Sequence, residues 1–431
     1  MSKGLVDWLK DDKAFRMMLW LFGAVLLVFA AIPIANALLG ESIKDYELWH
    51  DTGQQILHGE QIYPKRAHKF PFMYPPTAAL LLAPISLLGK TGVVIALVVV
   101  TAAAWFASIA LSVRLATGEW RRQHLTVYLV PSLIVIVYVW SNFHLGQPSL
   151  LLLALLLGAF VALQAKGNVL AGSLIALAAA IKAFPFITIV YLLYRRYWIA
   201  AASLILALGF LLILLPAPFR GFTQARADLQ RWTEGMLLKY DEKGVAQRPG
   251  RSNSWRNQSI FGVANRLLRH IDADEKFGPH TPRYVNVADL SFATVNRIIL
   301  AIAFALGLIF IAVLPRRQNR TSETDAMEYA LLILLMLVVT PLAFGYLFAC
   351  LLYPFTVVVV RLLKRPSRSL LLCALTAVLL LALTLPLQKT AQSYGNTLLA
   401  TVILFGALAA ELWSTKQQMA SVPPVAGKIV L

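Results

Sequence analysis

Long apolar segments alternate with short polar segments along most of the chain. The clearest are residues 17–39, 91–113 and 298–314, which carry little or no charge. Because about 20 apolar residues let a helix cross a hydrocarbon core of about 30 Å, we predict membrane-spanning helices here. Lipid cannot hydrogen-bond an unpaired backbone, and no alternating strand pattern is visible. The predicted fold class is therefore all-α, a polytopic membrane helical bundle.

Composition and charge support the same prediction. Hydrophobic residues make up 59% and charged residues only 14% of the 431 residues, a composition that favours lipid as the solvent. The net charge of +18 could indicate nucleic-acid binding, but many of the Lys and Arg residues form short clusters between apolar segments. Such clusters orient membrane helices, so we expect no nucleic-acid partner. Cys350 and Cys373 both lie in apolar segments, which indicates no disulfide framework.

The basic clusters predict a topology when all of them are placed in the cytoplasm. They lie at 3–16, 114–122, Lys166, 195–196, 316–320, 361–368 and Lys416. This placement predicts a single transmembrane domain over residues 1–431, with about 12 membrane helices and both termini cytoplasmic. The polar loops then face outward, at 40–76, 141–148, 218–295 and 387–396.

One apolar segment, residues 168–194, begins and ends beside predicted cytoplasmic residues. Two full crossings would need roughly 40 residues, and this segment has 27. We therefore predict a hairpin of two short helices that turns inside the membrane. Its apex is predicted at 182–185, where Pro185 disfavours helical backbone at Phe184.

The first outer loop contains the best candidate for a catalytic base. Residues 41–59 predict an amphipathic interfacial helix that ends at Gly59, with Asp45 in its first turn. The apolar face of this helix is formed by Ile43, Tyr46, Trp49, Ile56 and Leu57. Helix N-termini favour ionised carboxylates, so Asp45 could accept a proton from a hydroxyl group. Alternatively, Ser42 and Asp45 form a capping box; Asp51 is a weaker second candidate for the base.

Several polar residues are candidates for binding an anionic donor. Lys182 would carry an ammonium at the apex of a membrane hairpin, which is costly unless it meets a phosphate, water or a carboxylate. Snorkelling of Lys182 to an interface is the alternative. His144 and Gln147 lie in a short outer loop and could hydrogen-bond a sugar or phosphate, or could belong to a turn with satisfied caps.

The long outer loop adds a second group of candidates. These are Arg251, Arg256, Asn257 and Gln258. Planar guanidinium groups could grip a lipid phosphate, although attraction to anionic headgroups would explain the arginines equally well. The seven histidines are scattered, and no metal-binding pattern or nucleotide fingerprint is present. We therefore expect no metal and no other cofactor.

A set of short motifs, taken in order, resembles glycosyltransferase family 87. They are 45–46, 59–63, 72–76, 146–147, Lys182 with Pro185, 257–259 and Arg266. The resemblance implies the GT-C fold, an active site at the outer face, a polyprenyl-phosphate sugar as donor, and the first-loop acid, here Asp45, as general base. Characterised relatives use polyprenyl-phosphate mannose. The chain departs from the family pattern at 340–346. The resemblance implies a histidine in this region, but the stretch, which ends at Tyr346, contains none. The missing histidine bears on specificity for mannose.

The sequence therefore predicts a multi-pass inner-membrane (cytoplasmic-membrane) glycosyltransferase that works with inversion. It would move a hexose such as mannose from a polyprenyl-phosphate donor to a lipid or glycan acceptor on the extracytoplasmic face, among membrane lipids. Cations such as Lys182 could stabilise the leaving phosphate without a metal. A transporter or flippase of a lipid-linked sugar or another anionic lipid is the alternative, since it would use the same cationic cavity without a base.

Overall fold

A computed structural model describes residues 12–63, 71–246, 252–274 and 280–421, which are mostly helical. The α-helices are α1 Asp12–Leu38, α2 Asp45–Leu57, α3 Pro76–Ser86, α4 Gly89–Thr117, α5 Thr126–Ile134, α6 Ile136–Leu145, α7 Ser149–Gln164, α8 Asn168–Ile181, α9 Thr188–Tyr194, α10 Trp198–Gly209, α11 Ala217–Arg220, α12 Phe222–Trp232, α13 Ile260–Leu268, α14 Phe292–Val313, α15 Ser322–Val339, α16 Leu352–Lys364, α17 Arg368–Ala382, α18 Thr384–Ser393 and α19 Asn396–Ser421. A small antiparallel hairpin pairs β1 Tyr240–Asp241 with β2 Gly244–Val245.

The apolar helices confirm the predicted membrane bundle. In the described part of the chain, six helices are long and apolar enough to cross a membrane, or eight if two sharply bent pairs each count as one span. The long ones are Asp12–Leu38, Gly89–Thr117, Trp198–Arg220, Phe292–Val313, Gly345–Lys364 and Asn396–Met419, and the bent pairs are α5 with α6 and α17 with α18. Four shorter apolar helices accompany them. The count of twelve membrane helices stays a prediction, because each of these four helices is shorter than the 18 residues required of a candidate span.

The segment 168–194 turns back on itself. After α8 the backbone becomes extended at Lys182, and a 3₁₀ turn over Phe184–Ile187 leads into α9. Gly172, near the beginning of α8, lies against the backbone of Ala200, near the beginning of α10. The chain therefore returns to the end from which α8 departs. Pro185 lies in the 3₁₀ turn rather than in either α-helix.

Helix α2 has the amphipathic form that its sequence predicts. Tyr46, Trp49 and Ile56 are buried along one face, whereas Asp51 is exposed. The helix begins after Lys44, and no side chain caps its first turn. The capping box between Ser42 and Asp45 is therefore wrong, because the backbone enters the helix one residue before the carboxylate without using either side chain as a cap.

The two cysteines are both free, as expected of residues in apolar segments. Cys350 is buried in the 3₁₀ segment Gly345–Leu351, which continues directly into α16. This segment follows the irregular stretch 340–344, and together they run beside the apex of the α8–α9 hairpin. That arrangement brings the helix-breaking parts of the chain together around a cavity.

Candidate active site

A cavity of about 350 Å³ lies where α2, the hairpin apex and two irregular segments meet. Its polar lining comes from four residues that are distant in sequence: Asp45, Tyr74, Gln147 and Lys182. The remainder is mainly apolar or aromatic and comprises Leu48, Trp49, Pro71, Met73, Pro75, Ala183, Phe184, Phe186, Ile187, Trp232, Met236, Leu237, Val245, Thr340, Pro341, Leu342, Phe344 and Tyr346. A few convergent polar groups in an apolar pocket are typical of a small-molecule site.

A chain of hydrogen bonds holds the carboxylate of Asp45 at this cavity. The side-chain amide of Gln147 donates through Nε2 to Oδ2 of Asp45 at 2.6 Å. Its carbonyl, Oε1, accepts from the hydroxyl of Tyr74 at 2.7 Å. Because Gln147 is almost fully buried and bonded at both ends, its amide is held in one orientation. The geometry therefore fixes one oxygen of Asp45 and orients the carboxylate toward the cavity.

The position of α2 depends on two hydrogen bonds to the loop that follows α6. The hydroxyl of Tyr46 donates to the carbonyl of Phe143 at 2.6 Å, and the indole of Trp49 donates to the carbonyl of Gly146 at 2.8 Å. Burial raises the pKa of Tyr46, which keeps its hydroxyl protonated as a donor. Gly146 has φ +69°, and a Cβ there would lie 2.8 Å from the ring of Tyr46. Only glycine satisfies both the backbone and this close contact.

Lys182 reaches the cavity from the hairpin apex. Its ammonium lies 5.4 Å from the ring centroid of Tyr74 and 4.9 Å from that of Tyr346. Such cation–π contacts partly replace the water that the ammonium loses. Since α8 ends at Ile181, the extended backbone at Lys182 carries the side chain away from the helix axis and toward the other polar groups.

The wall formed by 340–344 is held in place by Asn257. Its Nδ2 donates to the carbonyls of Ser252 at 2.7 Å and Pro341 at 2.9 Å. Its Oδ1 accepts from the amide of Ala343 at 2.9 Å and from that of Ser259 at 3.1 Å. These four bonds use the hydrogen-bonding capacity of the side-chain amide. We therefore reinterpret Asn257 as a residue that supports the cavity wall, and direct contact with a donor stays a prediction.

Gln258 and Arg266 complete this support. Gln258 donates through Nε2 to the carbonyls of Trp255 and Gln392, both at 2.7 Å. The fully buried guanidinium of Arg266 donates to backbone carbonyls, including those of Ser254 and Asn257 at 2.8 Å. Backbone oxygens thus satisfy a buried cation and tie the 252–258 loop to α13. Neither side chain lines the cavity.

The other predicted donor-binding residues lie away from the cavity or outside the residues that the structure describes. His144 stacks on Trp140 with ring centroids 5.2 Å apart and does not line the cavity. Arg256 is exposed, with its guanidinium 4.8 Å from the ring centroid of Trp255. Arg251 lies outside the described residues. Their part in binding a donor stays a prediction.

Several aromatic residues that line the cavity were not recognised from the sequence as site residues. Trp232, at the end of α12, donates from its indole to the carbonyl of Met73 at 3.2 Å and so joins the long outer loop to the cavity. In the sequence, Tyr74 and Tyr346 stand out only as parts of the motifs 72–76 and 340–346. The available signal is that both motifs contain proline. In the described ranges, no group of three or more His, Cys, Asp or Glu residues could hold a metal ion.

The chain is similar in sequence to known glycosyltransferases. The sequence model of "Glycosyltransferase family 87" matches residues 72–341. A curated protein of Mycobacterium tuberculosis (strain CDC 1551 / Oshkosh), named polyprenol-phosphate-mannose-dependent alpha-(1-2)-phosphatidylinositol pentamannoside mannosyltransferase, is 31% identical over 211 residues, which are 48% of this chain and 44% of the relative. The chain thus spans less than half the length of that relative. No solved structure matches the chain.

Proposed function

Since the chain belongs to glycosyltransferase family 87, we propose that it transfers a sugar from a polyprenyl-phosphate donor to an acceptor hydroxyl, with Asp45 as general base. The observation that carries this proposal is the meeting of the Asp45 carboxylate and the Lys182 ammonium at one apolar cavity. A base and a cation in the same pocket fit a displacement that generates a proton at one end and a phosphate anion at the other.

The proposed step begins at Asp45. Its carboxylate takes the proton of the acceptor hydroxyl, while Gln147 donates to Oδ2 and keeps the group oriented. The acceptor oxygen then forms a bond to the anomeric carbon as the bond from that carbon to the phosphate oxygen breaks. The bond pair leaves with the phosphate, which becomes polyprenyl phosphate. A single displacement of this kind inverts the configuration at the anomeric carbon and needs only one base.

Lys182 would act on the leaving group. The phosphate of the donor gains a negative charge as the sugar departs, and a cation in an apolar site stabilises such charge strongly. The contacts of Lys182 with two aromatic rings support this role, because the rings hold the ammonium at the cavity and leave its charge in place. The rings of Tyr74 and Tyr346 also offer flat faces to a sugar.

The apolar rim of the cavity fits a lipid-linked donor. Phe186 in the hairpin and Leu237 after α12 both line the cavity and are also exposed on the outside of the protein. A prenyl chain could therefore leave the cavity along apolar side chains and enter the surrounding lipid without crossing a polar surface.

We further propose mannose as the sugar and a lipid or glycan as the acceptor. The polyprenol-phosphate-mannose dependence in the name of the mycobacterial relative supports the donor. The basic clusters support placing the cavity on the extracytoplasmic face of the inner membrane, since the hairpin apex lies at the end of α9 opposite to Arg195 and Arg196. With this topology, both substrates meet outside the cytoplasm.

The test is transfer by the purified protein in nanodiscs, with polyprenyl-phosphate mannose and an acceptor glycolipid. Release of polyprenyl phosphate is expected, and a transporter or flippase would release none. The Asp45→Asn variant should bind donor but react about 10² to 10⁴ times more slowly, the usual contribution of a general base. Asp51→Asn is the matched control, because Asp51 is an exposed acid on the same helix. Equal rates for both variants and the unmodified protein would remove Asp45 from the mechanism.

A further inference from the structure

A second cavity, of about 540 Å³, lies at the base of the hairpin, at the opposite end of α9 from the apex. Its lining residues come from the turn after α9, the end of α14 and α19. They are Tyr194, Arg195, Arg196, Ile311, Ala312, Leu314, Pro315, Arg316, Arg317 and Lys416. Five of these are basic and none is acidic. The proposed mechanism uses none of them.

The charge of this cavity is not compensated by the side chains around it. Among the described residues, the side chains of Arg196, Arg316 and Arg317 have no hydrogen-bond or ion-pair partner, and all three are exposed. Two carbonyls near the end of α14, which would repel an anion, are bound by cations. Lys416 donates to the carbonyl of Ala312 at 2.6 Å, and Arg195 donates to that of Pro315 at 2.8 Å.

Arg195 has a separate, structural task. Its Nε donates to the buried carboxylate of Glu328 at 3.1 Å, and the hydroxyl of Tyr191 donates to the same carboxylate at 3.0 Å. This ion pair fixes the floor of the cavity and neutralises one of the five cations. The remaining positive charge therefore belongs to the three exposed arginines and Lys416.

In the predicted topology, the surroundings of the cavity fit the cytoplasmic surface of a membrane. The basic residues come from three clusters that are distant in sequence but that the topology places on one side of the membrane. Exposed apolar side chains, including Leu193 and Ile311, adjoin them on the outside of the bundle. A ligand that suits both features carries a phosphate group at its head and apolar chains beside it.

We propose that this cavity binds the phosphate group of an anionic phospholipid of the cytoplasmic leaflet. Arg196, Arg316 and Arg317 would hold the phosphate oxygens, and planar guanidinium groups suit such oxygens. The acyl chains would follow the exposed apolar surface of α14 and α9. This site is separate from the proposed active site, and none of its residues takes part in the proposed transfer.

The test measures lipid binding by native mass spectrometry of the protein in a neutral detergent. Phosphatidylglycerol is compared with phosphatidylcholine of the same acyl chains, and inorganic phosphate is added as a competitor. We expect selective retention of phosphatidylglycerol. In the double variant Arg316→Gln/Arg317→Gln, its affinity should fall about 25-fold, or about fivefold for each arginine.

The matched control is Arg365→Gln/Arg368→Gln, which removes the same charge from two exposed residues, one just after α16 and one at the start of α17, on the same predicted side. This variant should bind phosphatidylglycerol as the unmodified protein does. Displacement of the lipid by millimolar inorganic phosphate, with the same dependence on Arg316 and Arg317, would support the phosphate site and identify a soluble anion as its ligand. Equal loss in both double variants, or loss in neither, would overturn the proposal.

Discussion

Replacement of Gln147 by leucine tests whether its amide serves the carboxylate of Asp45 or the sugar donor. Leucine has a similar volume and leaves the buried site filled, but it removes the donor that bonds Asp45 at 2.6 Å. A hydrogen bond to a charged group contributes about 1.5–3 kcal/mol. At about 1.4 kcal/mol for each factor of ten, kcat should fall roughly 10- to 150-fold.

The assay is release of polyprenyl phosphate in nanodiscs, with kcat and KM measured separately. A group that orients the base lowers kcat and leaves KM nearly unchanged, whereas a group that binds the donor raises KM. Gln54→Leu is the matched control. Gln54 lies on α2, the helix that carries Asp45, and donates to Ser86, at 3.1 Å to the carbonyl and 3.2 Å to the hydroxyl, away from the cavity.

For Gln54→Leu we expect a lower melting temperature and an unchanged kcat, because only neutral hydrogen bonds are lost. The interpretation of Gln147 would be refuted by a Gln147→Leu variant whose kcat stays within about twofold of normal, a change of less than about 0.5 kcal/mol. It would also be refuted by a rise in KM alone, which would return Gln147 to the donor-binding role predicted from the sequence.

Three further predictions follow from the same geometry. Lys182→Met should weaken donor binding with little loss of stability, and Lys182→Arg should recover donor binding only in part; donor affinity and melting curves measure both effects. Normal donor affinity together with a much lower melting temperature would make Lys182 a structural residue. A cysteine at Gln61 should react with a membrane-impermeant maleimide in intact cells and one at Asn319 should not; the reverse pattern would invert the topology. Gly146→Ala should lower the melting temperature more than Gly40→Ala, because both glycines have φ near +70° but only a Cβ at position 146 would meet an aromatic ring. Equal shifts in melting temperature would contradict this.

The membrane bundle could be predicted because its signals are local. Uncharged apolar runs set the spanning helices, and the basic residues beside 168–194 required the chain to return to the same side. Pro185 marked the turn, which the structure places within one or two residues of the predicted apex. Each of these features depends on neighbours in the sequence, so no knowledge of the tertiary packing was needed.

The partners of the site residues could not be predicted in the same way. Tyr74 and Gln147 are 73 residues apart, and nothing near either one indicates their hydrogen bond. The sequence predicts Asn257, a polar residue in an outward loop, to bind the donor, but its side-chain amide hydrogen-bonds the backbone of Pro341 and Ala343. Whether a polar side chain on a loop bonds a ligand or the backbone depends on which chain segment packs beside it. That segment is often distant in sequence, so it cannot be identified from neighbouring residues.

The short helices of the α8–α9 hairpin also constrain how the protein is made. With 14 and 7 residues, neither helix is long enough to be inserted alone as a span during synthesis. Lys182 at the apex makes insertion of the bare hairpin more costly still. We therefore expect the hairpin to enter the bilayer only together with its neighbours α7 and α10, which pack on α8 and of which α10 begins the 23-residue span Trp198–Arg220. The cavity lined by Asp45 and Lys182 would then be completed late in assembly, after most of the bundle is already in the membrane.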